Sequence, residues 1–126
     1  MEIIEEKMEV DSEVFRINSI QLENAVVAFL FEERRRMGTV AIAMPGTGEV
    51  AVGRSSILVG GKYMMTTRAL AERLAAKSHK MALVSLFTEL DETEALRIYA
   101  KLLDQIHETH YSGEKSFPID SVGENV

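Results

Sequence analysis

AVVAFLFEERRRMGTVAIAM, residues 25–44, decides how this chain is read. Its first part, Ala25 to Phe31, is a continuous apolar run rich in β-branched and aromatic side chains. That is the pattern of a strand covered on both faces, or of a strand at an interface. Its last part alternates, with Val40, Ile42 and Met44 on one side of an extended chain and Thr39, Ala41 and Ala43 on the other. The charged EERRR (32–36) between them reads as a turn, so 25–44 is expected to fold as a β-hairpin.

Toward the C-terminus, Pro45-Gly46-Thr47-Gly48 is a turn signal. EVAV (49–52) and SILVG (56–60) read as short strands around Gly53, and Gly60-Gly61 stops the second. The period then changes. Thr66 to Lys77 is rich in good helix formers, with Leu70/Leu74 and Ala71/Ala75 at i, i+4 spacing. Thr66 or Thr67 is the expected N-cap, and Ser78-His79-Lys80 ends the helix. Met64-Met65 after Tyr63 reads as core packing at the helix start, with an adaptable partner surface as the alternative. MALVSLF (81–87) returns to strand composition. Asp91 then caps a second helix, with Glu94 three residues on. Ala95, Ile98, Tyr99, Leu102, Leu103 and Ile106 form its apolar face.

Toward the N-terminus, VFRI (14–17) places Phe15 and Ile17 on one strand face, and Asn18-Ser19 reads as a turn. Residues 1–13 carry six acids and one base, interspersed with Ile3, Ile4, Met8 and Val10. They are an early edge strand or a frayed arm. Residues 108–126 are polar, with Gly113, Pro118 and Gly123, and are expected to be a flexible tail. The domain organisation is thus an acidic arm over 1–13, one domain over 14–107, and a tail over 108–126.

Strands first and helices late make an α+β pattern: an antiparallel sheet of about six strands with two helices on one face. Two helices cover one face only, and the run at 25–31 is apolar on both sides. The second face is therefore expected to be buried by self-association, with Val27, Phe29, Phe31, Val40 and Ile42 at the dimer interface.

A length of 126 residues suits one domain with its own core. The absence of cysteine excludes disulfide scaffolds, thiolate zinc sites, iron–sulfur clusters and cysteine nucleophiles. A net charge of −6 lacks the footprint of a nucleic-acid binder, and no run approaches the roughly 18 apolar residues of a membrane span. The acidic N-terminus is unlike a secretory signal, so a cytoplasmic protein with neither nucleic-acid nor membrane partners is expected.

No constellation points to chemistry. GEVAVGRS (48–55) imitates a phosphate-binding loop with Arg54 for lysine, but its interior prefers strand and a strand former follows where a helix is required. His107 and His110 share helical spacing without further convergent ligands, and both His107 and His79 suit helix C-termini instead. Ser55, Ser56, Ser85, Thr66 and Thr67 lack a nucleophile elbow, and Ser85 reads as a small packed residue. The expectation is no catalytic residue, no metal, no cofactor and no enzyme activity. Arg34-Arg35-Arg36 is the one basic cluster; it suits docking to an acidic partner or phosphates, and equally a solvated turn.

From about residue 13 to 107 the chain resembles the proteasome assembly chaperone 3 group, which is related in fold to assembly chaperone 4. Three places carry the resemblance: AVVAFLF–EERR–RMGTVAIAMP, with Met37-Gly38-Thr39 leading into its second strand; SILVGG before the helix ALAERLAAKS; and MALVSLF before EALRIYAKLLDQI. The resemblance implies a sheet with two helices on one face and pairing through the other face, as homodimers or heterodimers. It also implies binding to proteasome α subunits during α-ring assembly, followed by release. A homodimer is the simplest form, as in organisms with a single relative such as an archaeon, and pairing of dimers into a tetramer is left open. Charge and position assign Arg34, Arg35, Arg36 and Met37 to partner contact. The ending Glu124-Asn125-Val126 departs from the hydrophobic-Tyr-X ending by which larger assembly chaperones enter the α-ring, so that route is not expected. The alternative function is a dimeric module that binds a small ligand or nucleotide with its glycine-rich turns.

Overall fold

A computed structural model describes residues 3–46 and 54–107. Six strands and two helices follow in the order β1 (Ile3–Val10), β2 (Glu13–Gln21), β3 (Ala25–Phe31), β4 (Thr39–Met44), β5 (Arg54–Val59), α1 (Met64–Ser78), β6 (Met81–Leu86) and α2 (Glu92–Ile106). The expected α+β class holds, with a mostly antiparallel six-stranded sheet and both helices packed on one face. The expected strand at 49–52 and tail at 108–126 lie outside the described residues.

The first element is an edge strand. β1 pairs with β2 along its whole length, from Ile3 opposite Ile20 to Val10 opposite Glu13. The turn between them is Asp11-Ser12, both left-handed, at φ 53° and 69°. Positive φ at both central residues is what a two-residue hairpin requires, because its twist then matches the strands. The turn expected at Asn18-Ser19 is absent. Both residues lie within β2, opposite Phe29 and Ala28. Asp11 takes the turn instead, since aspartate tolerates the left-handed region better than most residues.

The hairpin expected over 25–44 is also overturned. The strand order is β1-β2-β3-β6-β4-β5, so β6 lies between β3 and β4. β6 runs parallel to β3, with Val27 opposite Leu83, and antiparallel to β4, with Leu83 opposite Ile42. The charged segment 32–38 is therefore a crossover that skips one strand position. β6 has five apolar residues in six, and a strand of that kind gains most at the centre, where both its edges are paired.

Gly38 marks where the crossover passes β6. A Cβ there would lie 2.0 Å from the Leu86 carbonyl oxygen, so only glycine allows the approach. The Gly38 N–H donates to the Ser85 hydroxyl at 3.0 Å. Ser85 is thus a packed residue, as expected, and it also anchors the crossover.

The helices cover one sheet face. Phe15, Ile17, Val26, Ala28, Leu30, Ala41, Ala43, Ala82, Val84 and Leu86 point into the same core as Leu70, Leu74, Tyr99, Leu102, Leu103 and Ile106. Ala41 and Ala43 of β4 and Ala82 of β6 share this core with Ala71 and Ala75 of α1, and side chains this small permit close approach of helix to sheet. Phe15 meets Tyr99 edge to face, with centroids 5.9 Å apart and planes at 88°.

Helix ends follow the sequence in part. Asp91 caps α2, its carboxylate accepting from the Glu94 N–H at 2.8 Å. His79 ends α1 in the left-handed conformation. The N-cap of α1 is Tyr63, neither Thr66 nor Thr67, and its side chain makes no cap bond. Glu92 of α2 serves that end: its Oε1 accepts from the Thr66 hydroxyl at 2.7 Å and from the Thr66 N–H at 3.4 Å. A carboxylate at a helix N-terminus is favourable on dipole grounds, so no local cap is needed. Met64 and Met65 are exposed, at 45% and 79%, and are not core.

Candidate functional site

Among the described residues, no helix lies on the second sheet face. Strand alternation builds it from residues that the core does not use. One row crosses five strands, Ile3, Ile20, Val27, Leu83 and Ile42 standing side by side in register, and ends at Ser56 on β5. All five are apolar, and none is buried. The next row runs Glu5, Asn18, Phe29, Ser85, Val40 and Val59. Between Val40 and Ala41 the register slips by one residue, so Leu58 is the extra residue of a bulge. Leu58, Val59 and Met44 are left exposed at that edge.

The five residues read from the sequence as the dimer interface divide in two. Val27, Phe29 and Ile42 lie partly exposed on this face. Phe31 and Val40 are already buried in the single chain, at 3% and 6% exposure. Phe31 is covered by Arg35, whose guanidinium lies 5.5 Å from the ring centroid. Sequence reasoning missed Ile20 and Leu83. Ile20 lies past the expected Asn18-Ser19 turn, and the neighbours of Leu83 are set by long-range pairing that no local pattern shows.

Arg34, Arg35, Arg36 and Met37 occupy the crossover and are exposed. Two of the three arginines nevertheless lie against aromatic rings. Arg35 lies over Phe31, and Arg36 lies over Phe87 at 5.4 Å. The Asn18 amide, oriented to satisfy both its groups, accepts from Arg35 Nη1 at 3.2 Å and donates to the Ile17 carbonyl at 3.1 Å. The crossover therefore folds back over one end of the open face. Arg16 stands opposite Phe31 on β2, and Lys7 opposite Arg16 on β1, so the same end gains two more cations.

Two hydrogen bonds to Glu32 hold the start of this segment in place. The Tyr99 hydroxyl donates to the Glu32 carboxylate, and the Glu89 N–H donates to the same carboxylate at 3.0 Å. Burial first, and the bond to Glu32 second, push the Tyr99 phenol far above its ordinary range.

Among the described residues, no group of three or more His, Asp or Glu could hold a metal. His110 lies outside the described residues. Of the GEVAVGRS stretch only Arg54 and Ser55 are described, and they open strand β5, not a helix. Glu92 already occupies the N-terminus of α1 that follows Gly60-Gly61, which opposes an anion there. Among the described residues, no helix is long and apolar enough to cross a membrane.

No known family model matches the chain, and no curated protein matches it. Among solved structures it is similar to a chain of a chaperone complex for yeast 20S proteasome assembly, with a TM-score of 0.63 and 9% identity. The similarity covers 86% of this chain and 93% of the other. At that identity the likeness is one of fold.

Proposed function

We propose that this chain is a non-enzymatic assembly chaperone of the proteasome, working in the cytoplasm as a homodimer. The observation that carries the reading is the sheet face that no described helix covers, with its five-strand apolar row. A solvated sheet face ordinarily alternates to polar residues, so such a row calls for a protein partner. The fold shared with a component of a yeast 20S assembly complex supports the choice of proteasome subunits as that partner.

In this reading two copies pair through Val27, Phe29, Ile42 and their neighbours Ile20 and Leu83. Arg34, Arg35, Arg36 and Met37 then contact a proteasome α subunit or an α-ring intermediate. Release needs no fuel. An intermediate that exposes the docking surface binds the chaperone, and a later subunit that buries the same surface displaces it, so differential affinity alone drives the cycle. The nucleotide-binding alternative has no comparable support, because a carboxylate already caps the helix that follows the described glycine pair.

Native mass spectrometry of the chain, alone and mixed with α subunits of its own organism, tests the reading. A dimer that forms a defined complex with an α subunit is the expected outcome. A monomer, or a dimer without such a complex, overturns the pairing or the partner respectively.

A further inference from the structure

We propose that the crossover end of the open face is a docking surface for an acidic polypeptide segment. The inference deepens the chaperone reading and rests on it only for which protein supplies the segment. Five cations meet there from three elements: Lys7 of β1, Arg16 of β2, and Arg34, Arg35 and Arg36 of the crossover. Lys7 and Arg16 stand directly opposite one another, an arrangement that is unfavourable in an isolated sheet. Among the described residues, no ion pair involves any of the five; the pairs that form are Arg73–Asp104, Lys77–Asp104 and Arg97–Glu94, all on the helices.

The acids nearby lower the local charge, but none forms an ion pair with any of the five, so the guanidiniums keep their donors open to a carboxylate. Glu32 is committed to Tyr99 and the Glu89 N–H. Glu5 and Glu9 flank Lys7 along the outer strand and pair with none of the five. Glu13, Glu33 and Glu89 line the adjoining cleft with Arg16 and Arg34, also without ion pairs.

Stacking makes the surface receptive. Arg35 and Arg36 lie over the Phe31 and Phe87 rings, at 5.5 Å and 5.4 Å from the centroids, and this contact restricts the two guanidiniums. A guanidinium held in this way loses little freedom when a carboxylate binds, so each charge-assisted bond keeps more of its strength. Exposed Met37 beside them offers an adaptable apolar contact. The partner is a peptide segment and not a nucleic acid, because the net charge of −6 repels a long polyanion while a short acidic segment sees the local field.

The test uses the full chain and a fluorescein-labelled peptide of alternating Glu and Leu, with a Gln-for-Glu peptide as control, in fluorescence anisotropy. The Glu peptide should bind at least about tenfold more tightly than the Gln peptide at about 0.02 M salt and lose that margin near 0.2 M, where screening sets in within about 10 Å. Arg16→Glu/Arg34→Glu should abolish the margin; neither arginine stacks on a ring, and a thermal melt checks the fold. Equal binding of the two peptides, an unaffected double variant, or tighter binding of a single-stranded oligonucleotide of equal charge overturns the proposal. With α subunits in place of the peptide, an undiminished complex in the double variant overturns it while leaving the chaperone reading intact. Peptide binding without any α-subunit complex does the reverse.

Discussion

The Tyr99 hydroxyl, deep in the core on α2, hydrogen-bonds the carboxylate of Glu32, the first residue after β3. Through this bond the helical layer fixes the root of a crossover that ends on the opposite sheet face. Tyr99→Phe should remove a bond to a charged group, destabilise the chain by about 1.5–3 kcal/mol, and raise hydrogen exchange selectively over 32–38. Uniform exchange across the chain would refute the anchoring role.

The same bond predicts alkaline behaviour. Burial and Glu32 raise the folded-state phenol above the unfolded value of about 10. The stabilisation is thus complete below about pH 10 and is lost as pH rises above it, because the unfolded chain ionises first. Denaturant melts at rising pH should show wild type losing stability above about pH 10 more steeply than Tyr99→Phe. Parallel curves would contradict the assignment.

Gly38→Ala tests the crossover itself. Its methyl would meet backbone at the Leu86 carbonyl, where no side chain can yield. A loss of about 1–3 kcal/mol or more is expected in urea unfolding, as for overpacked sites. A neutral effect would mean that the crossover does not run against β6.

Arg73 and Asp104 join α1 to α2 by two bonds, at 3.0 Å and 2.6 Å. The bond to Arg73, helped by Lys77, holds the Asp104 carboxyl below the ordinary carboxylate range. The contribution is therefore present above about pH 3.9 and disappears as pH falls through the lower folded value. Asp104→Asn should cost about 0.2–1 kcal/mol at neutral pH, as partly exposed pairs do, and the difference should vanish in acid. A gap that persists at pH 2 would rule out the charge as its source.

Self-association through the open face predicts that Val27→Asp/Leu83→Asp yields a folded monomer. Both side chains lie in the apolar row outside the helical core, so circular dichroism should be unchanged while sedimentation velocity shows the smaller species. A dimer that survives the double substitution would move the interface elsewhere.

Sequence alone determined the local elements. The runs 25–31 and 81–87 declare strands, the Ala- and Leu-rich period of 66–77 declares a helix, and Asp91 with Glu94 sets the start of the second helix to the residue. Each of these rests on neighbours within about four positions, where propensity and side-chain period act directly. The α+β class and a sheet with one bare face also follow, since two helices cannot cover both.

Only the tertiary structure decided which strands meet. β3 and β4 are near in sequence, yet β6 separates them. The cause is the gain from pairing a doubly apolar strand on both edges, which no local pattern encodes. That insertion turned a supposed hairpin tip into a crossover, laid Arg35 and Arg36 on Phe31 and Phe87, and brought Arg16 and Lys7 beside them. The charges of the candidate site were legible as residues, but their convergence is a product of register, and register is set by long-range pairing.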